Sequence, residues 1–171
     1  MATFQGIGLR LLAVAVIILM AAIVVQVVCS ALDINPIVSF NEAKPVLGQA
    51  ITLNSLLDFQ WHLLVAIGLL PVGLVWAMGR HVRVDFIYNK LRERTQARVN
   101  LVGNLLFAAP FFFLMLPAAW KFMMRAWTSD ESSSSAGLND LWLIKAVLPL
   151  GLALFAFAIL IETVRLVRLV R

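Results

Sequence analysis

Cysteine is almost absent from this chain of 171 residues, and the single thiol, Cys29, rules out a disulfide within it. Charge is scarce as well, at 13% of residues, while 62% are hydrophobic and the mean hydropathy is +0.94. A soluble domain carries roughly 25% charged residues, so this composition belongs to an integral membrane protein. Histidine occurs only at positions 62 and 81, too few for a metal cluster of the usual ligand types. There is no glycine-rich phosphate loop, no cysteine pair and no serine nucleophile in a recognisable setting, so nothing points to an enzyme.

The apolar residues gather in four runs. Residues 11–31, 59–78, 99–120 and 141–161 are each long enough to cross a hydrocarbon layer of roughly 30 Å as a helix. The expected fold is a single all-α membrane domain over residues 1–171, with four transmembrane helices. A cleaved signal peptide is the rival reading of the first run, although that run is longer than the usual apolar core of a signal. Trp61 and Trp76 bracket the second run at the two headgroup levels. Gly68, Pro71 and Gly73 predict a kink there, and Pro110 and Pro117 do the same in the third run.

Orientation follows from the bases. Residues 79–98 hold Arg80, Arg83, Lys90, Arg92, Arg94 and Arg98, six of the fourteen Lys and Arg residues. Basic residues beside a span resist translocation, so this loop is assigned to the cytoplasm, with both termini on the same side. That arrangement places ten bases inside, against Lys44, Lys121 and Arg125 outside. The net charge of +5 is therefore a topology signal, and no nucleic-acid partner is expected.

The connections carry their own expectations. Residues 33–58 space Ile37, Val38, Phe40, Val46, Leu47, Ala50, Ile51 and Leu53 loosely at helical intervals, which predicts one or two interfacial amphipathic helices; an ordinary structured loop is the alternative. In the basic loop Val82, Phe86, Ile87 and Leu91 predict a second amphipathic helix, with Asp85 as its N-cap, and Thr95 is a candidate cap for the third span. Residues 121–140, with the serines at 132–135, read as a mobile surface turn.

Ionisable residues set the limits on function. The two histidines are about 28 Å apart along the second helix and cannot grip one haem. His81 is expected as a solvated loop residue, with pairing to Asp85 at a metal as the alternative. No acidic residue lies inside a predicted span, which argues against an autonomous proton-coupled pump. Lys145, one turn inside the fourth run, either snorkels to the headgroups or pairs with a partner subunit, Glu131 or Asp140. A small helical bundle of this kind is a partner or scaffold rather than a transporter by itself.

Several short pieces share a pattern. Asp58-Phe59-Gln60-Trp61-His62, then Gly79-Arg80-His81-Val82-Arg83-Val84-Asp85, then Glu131-Ser132, Gly137-Leu138, and Ile144-Lys145 through Pro149-Leu150-Gly151 follow one another in fixed order. Together they resemble the small membrane subunit, DctQ-type with four spans, of tripartite ATP-independent periplasmic (TRAP) transporters, over about residues 59–162. Two positions depart from the pattern: Asp58 stands where glutamate is common, and Asn139 where proline is frequent. The resemblance implies a bacterial inner-membrane complex in which a large multi-span subunit carries an organic acid with sodium by an elevator-like motion, and a periplasmic binding protein delivers the cargo. This chain would then hold no cofactor itself and brace the large subunit's fixed scaffold.

On that basis the apolar faces of the first, second and fourth helices are expected to meet the large subunit. Arg80, His81, Arg83, Asp85, Arg92, Arg94, Trp61 and Lys145 are the candidate contacts to that subunit or to phospholipid, with simple topology determination as the alternative for the loop bases. Asp130 and Glu131 are the candidates for touching the binding protein. A free-standing four-helix regulatory or assembly protein is the other reading of the same features.

Overall fold

The computed structural model describes residues 2–81, 86, 88–135 and 137–170. Eight elements follow one another: α1 (Ala2–Ala31), β1 (Val38–Lys44), β2 (Gly48–Ile51), α2 (Leu53–Leu69), α3 (Val72–Ala77), α4 (Glu93–Gly103), α5 (Ala109–Thr128) and α6 (Trp142–Val170). Four helical stretches are long and apolar enough to cross a membrane, over Gly6–Ala31, Leu53–Ala77, Glu93–Thr128 and Trp142–Val170. Helix propagates cheaply once nucleated, which is why each stretch runs past the apolar run that defines it in sequence. The chain alternates between two ends, one bearing the β-hairpin and the 129–141 connection, the other bearing the basic loop.

Proline shapes two of the stretches. Pro71 has no N–H to offer the carbonyl of Ile67, and the second stretch breaks at Leu70 and Pro71 between α2 and α3. In the third, a π-helical turn over Asn104–Ala108 joins α4 to α5 immediately before Pro110. The Ala109 N–H reaches back to the Asn104 carbonyl, so one extra residue in the turn absorbs the proline without ending the helix. This third stretch starts at Glu93 with Arg92 in the N-cap position, rather than with a cap by Thr95.

α6 is the hub. α2, α3, α4 and α5 all pack on it, and the buried residues lie mainly along its seam with α4 and α5: Ala97, Phe112, Ala119 and Ala126 on one side, Ile159 and Leu166 on the other. Small residues let backbones approach closely where lipid removes the hydrophobic incentive to pack. Gly73 is the extreme case, because a Cβ there would lie 2.7 Å from the Leu154 carbonyl oxygen. α1 sits apart and packs chiefly along α2, with none of its apolar window buried.

The segment before α2 folds differently from the helical expectation. Residues 38–51 form an antiparallel hairpin, with Val38 opposite Ile51 and Ser39 opposite Ala50. Its tip is a three-residue turn in which the Leu47 N–H donates to the Pro45 carbonyl at 2.8 Å, and Val46 is held at φ 68°. A β-branched residue is strained in that region, and a helix is impossible through it. Helix begins only at Leu53, capped by reciprocal bonds between Thr52 and the buried Ser55. In the basic loop, Tyr88–Lys90 forms a single 3-10 turn. The expected amphipathic helix with Asp85 as its cap falls mostly on residues 82–85 and 87, outside the described residues.

Candidate subunit-contact surfaces

The hairpin end is a polar clasp assembled from three distant segments. Asp58, in the second turn of α2, accepts the Leu138 N–H at 3.0 Å, and Gly137 allows this because any Cβ there would run into the Asp58 carboxylate. The strained Val46 is held by both of its backbone groups. Its N–H donates to Asp140 Oδ2 at 3.2 Å, and its carbonyl accepts the Asn139 N–H at 2.7 Å. The side-chain amide of Asn54 donates to the Ser135 carbonyl at 2.6 Å. The serine-bearing connection is therefore tied down rather than the mobile turn its composition predicts. Helix α5 also carries on to Thr128, which shortens that connection.

Lys145 sits inside this clasp. Its ammonium pairs with Glu131 at 2.5 Å and lies 4.5 Å from the centre of the Phe122 ring. Within the chain, of the two carboxylates open to it in the sequence, the ammonium takes Glu131 and not Asp140, which instead accepts from the Val46 N–H. Asp130 next to it is exposed and takes φ 48° at the turn out of α5. Trp127 and Trp142 meet edge to face at 4.4 Å at this same end, and Trp61 stands 59% exposed on α2.

The basic end is closed by an aromatic cluster. Trp76 on α3 contacts Phe155 on α6 at 5.5 Å, Phe155 contacts Phe112 on α5 at 5.3 Å, and the Trp76 Nε1–H donates to the Glu162 carboxylate. His81 departs from its expected solvated position: its ring lies 5.2 Å from Trp76 and stacks on Phe155 at 6.0 Å. Its Nε2 is buried and, among the described residues, has no hydrogen-bond partner. Arg80, Arg92 and Arg94 are exposed. Arg83 and Asp85 lie outside the described residues, as does any metal pairing of His81 with Asp85.

Between the two ends the polar side chains bond to one another. The Gln60 amide donates to Gln26 Oε1 at 2.8 Å and to the Ala22 carbonyl at 3.2 Å, fastening α1 to α2. The Asn104 amide donates to the Thr163 hydroxyl at 3.0 Å, which in turn donates to the Ile159 carbonyl at 2.8 Å. Asp58 and Glu162, just outside the spans predicted from sequence, fall within helices α2 and α6, each with its partner supplied by the chain. None of these internal bonds is legible in sequence; Gln26, Gln60 and Asn104 standing in apolar runs are the available signals. Among the described residues, no three His, Cys, Asp or Glu side chains converge as a metal site.

The outward surface is apolar over most of the bundle. Val14, Ile17, Met20 and Val24 on α1, Leu106, Phe107 and Phe113 around the start of α5, and Leu150, Phe157 and Leu160 on α6 are all exposed. In water such a surface would aggregate, so it is covered by lipid or by protein. Four apolar spans, polar side chains bonded mostly to one another and an apolar exterior define a polytopic membrane component.

Residues 42–169 match the family described as tripartite ATP-independent periplasmic transporters, DctQ component. The match covers most of the chain, from the end of the first hairpin strand onward, and the chain belongs to that family. No curated protein and no solved structure matches it significantly.

Proposed function

We propose that this chain is the stationary, non-catalytic small subunit of a sodium-coupled TRAP transporter that takes up an organic acid across a bacterial inner membrane. The family match over residues 42–169 carries the reading. The structure is consistent with it: Gln26, Gln60, Asn104, Thr163 and Glu162 bond within the chain, while the large apolar surfaces face outward. A brace needs an exterior that a partner can grip, whereas a pathway needs polar groups facing a lumen.

In this reading the basic end and both termini face the cytoplasm, and the hairpin end faces the periplasm. The large subunit carries sodium and substrate and moves against this bundle. The exposed sides of α1, α2 and α6, with Trp61, supply the seam, and Arg80, His81, Arg83, Asp85, Arg92 and Arg94 meet its cytoplasmic loops or anionic headgroups. Lys145 contributes from within the clasp that it stiffens. Asp130 and Glu131, together with the hairpin, face the binding protein.

The test is reconstitution. Sodium-driven uptake should require this chain, the large subunit and the binding protein together, and the two membrane chains should co-purify. Organic-anion transport by this chain alone in liposomes would overturn the reading. Replacing Arg80 and Arg83 by Gln should lower co-purification or uptake, and unchanged values for both would remove the docking role of those two residues.

A further inference from the structure

α6 is 29 residues long, about 43 Å at 1.5 Å per residue, well beyond a hydrocarbon layer of roughly 30 Å. Its first residue, Trp142, packs on Trp127 at the hairpin end, and indole rings favour the headgroup level. About twenty residues on, the helix reaches the opposite edge of the hydrocarbon, close to Ile161. A groove lies along α6 across that edge, lined by Leu160, Ile161, Val164, Arg165, Arg168 and Leu169.

The lining changes character along the helix. Leu160, Ile161 and Val164 form its apolar part on the membrane side of the changeover, Arg165 and Arg168 follow, one turn apart on neighbouring positions of the helix surface, and Leu169 closes the far end beside Arg168. Both arginines are exposed. Among the described residues no carboxylate pairs with either, because Lys145–Glu131 is the one ion pair there and Glu162 is turned to Trp76. The inward face of this turn is occupied separately, by the buried Leu166.

We propose that this groove holds one anionic phospholipid, with an acyl chain along Leu160, Ile161 and Val164 and the phosphate between Arg165 and Arg168. A phospholipid is the one abundant ligand whose own change from apolar to anionic falls at the depth where the groove makes the same change. Guanidinium groups recognise phosphate oxygens through paired N–H donors, and membrane phosphates stand at the level that these two side chains reach. A soluble anion would leave the apolar half without purpose, and a partner helix would have to bring its own carboxylates to that level.

The test uses the full chain in nanodiscs made of equal parts phosphatidylglycerol and phosphatidylcholine, with the retained lipid read by native mass spectrometry after release. Phosphatidylglycerol should be retained in preference. Arg165→Gln with Arg168→Gln should lower its ratio to phosphatidylcholine by about thirtyfold, the factor that two basic residues near an anionic surface are together worth. Arg165→Lys with Arg168→Lys should keep most of the preference. Lys121→Gln with Arg125→Gln, which removes equal charge at the far end of α5, should leave it unchanged.

If the double glutamine variant does not fold, Val164→Trp fills the groove from an outward position and should cause the same loss. An unchanged ratio in the glutamine or tryptophan variant would overturn the proposal, as would an equal fall in the Lys121 and Arg125 variant. Displacement of the lipid by soluble glycerol phosphate would instead assign the arginines to a free phosphate. Uptake is not measured, so the outcome is independent of the transport reading.

Discussion

Lys145 and Glu131 form an ion pair at 2.5 Å between the first turn of α6 and the start of the connection that leaves α5, with the ammonium also 4.5 Å from the Phe122 ring centre. The lysine side chain is 19% exposed and the glutamate 41%, so water screens the pair from one side. The attraction is modest, and its value lies in fixing where the connection leaves α5. Lys145→Glu should destabilise the clasp by about 1 kcal/mol through like-charge repulsion, and adding Glu131→Lys should restore most of it. Thermal unfolding in detergent of the single and swapped variants reads this; failure of the swap to recover stability would show that the pair is incidental.

Two glycines in the second stretch should respond in opposite directions. Gly68 has nothing within 4 Å of a Cβ, so Gly68→Ala should gain up to about 1 kcal/mol from helix propensity. Gly73→Ala pushes a methyl to 2.7 Å from the Leu154 carbonyl oxygen, where only backbone could yield, and should lose about 1–3 kcal/mol. Equal melting temperatures for the two variants would mean that α3 and α6 do not pack as described.

α1 hangs on a small number of polar and close contacts, and Gln26 with Gln60 is the most specific of them. Hydrogen bonds between helices in lipid average roughly 0.6 kcal/mol and reach about 1.7. Gln26→Leu and Gln60→Leu should each cost within that range, with a double-mutant cycle returning a coupling of the same size. A coupling of zero would leave α1 held by packing alone.

Val46 at φ 68° is tolerated because Asp140 and Asn139 occupy both of its backbone groups. Asp140→Ala leaves the Val46 N–H without its acceptor and removes a side chain suited to a left-handed position at φ 56°, at a cost of about 1–3 kcal/mol. Proteolysis at residues 45–47 should accelerate, while the four helices persist by circular dichroism. Val46→Gly relieves the strain locally and should slow cleavage in the Asp140→Ala background.

Trp76→Phe keeps the ring against Phe155 but removes the donor to Glu162. The half-buried carboxylate then lacks its partner, and stability should fall by about 1–3 kcal/mol. Glu162→Gln, which leaves no unpaired charge, should cost less. If both changes prove neutral, the indole and the carboxylate do not depend on one another.

Most of the architecture is legible in the chain because hydropathy and charge are local. A run of twenty apolar residues must be helical to satisfy its backbone in lipid, whatever surrounds it, and the helices are interrupted at Pro71 and Pro110; the interruption expected at Pro117 is not found, since α5 continues through it as α6 does through Pro149. So the four stretches and the interruptions near Pro71 and Pro110 need no knowledge of neighbours. The helical expectation fails over residues 38–51 because Ile37, Val38, Phe40 and Val46 fit a loose helical spacing as well as a strand, while the turn that excludes a helix is held at its tip by residues 139 and 140.

The same division applies to the candidate sites. Composition identified the basic loop and the lone lysine near a span end, but their partners come from elsewhere in the chain: Glu131 for Lys145, Leu138 for Asp58, Phe155 for His81. Each of these contacts joins segments that meet only because four helices gather around α6, a free energy of packing that no window of sequence contains. Local chemistry decided that this chain enters a membrane and how often it crosses; the meeting of distant segments decided which of its polar groups are spent inside and which remain for a partner.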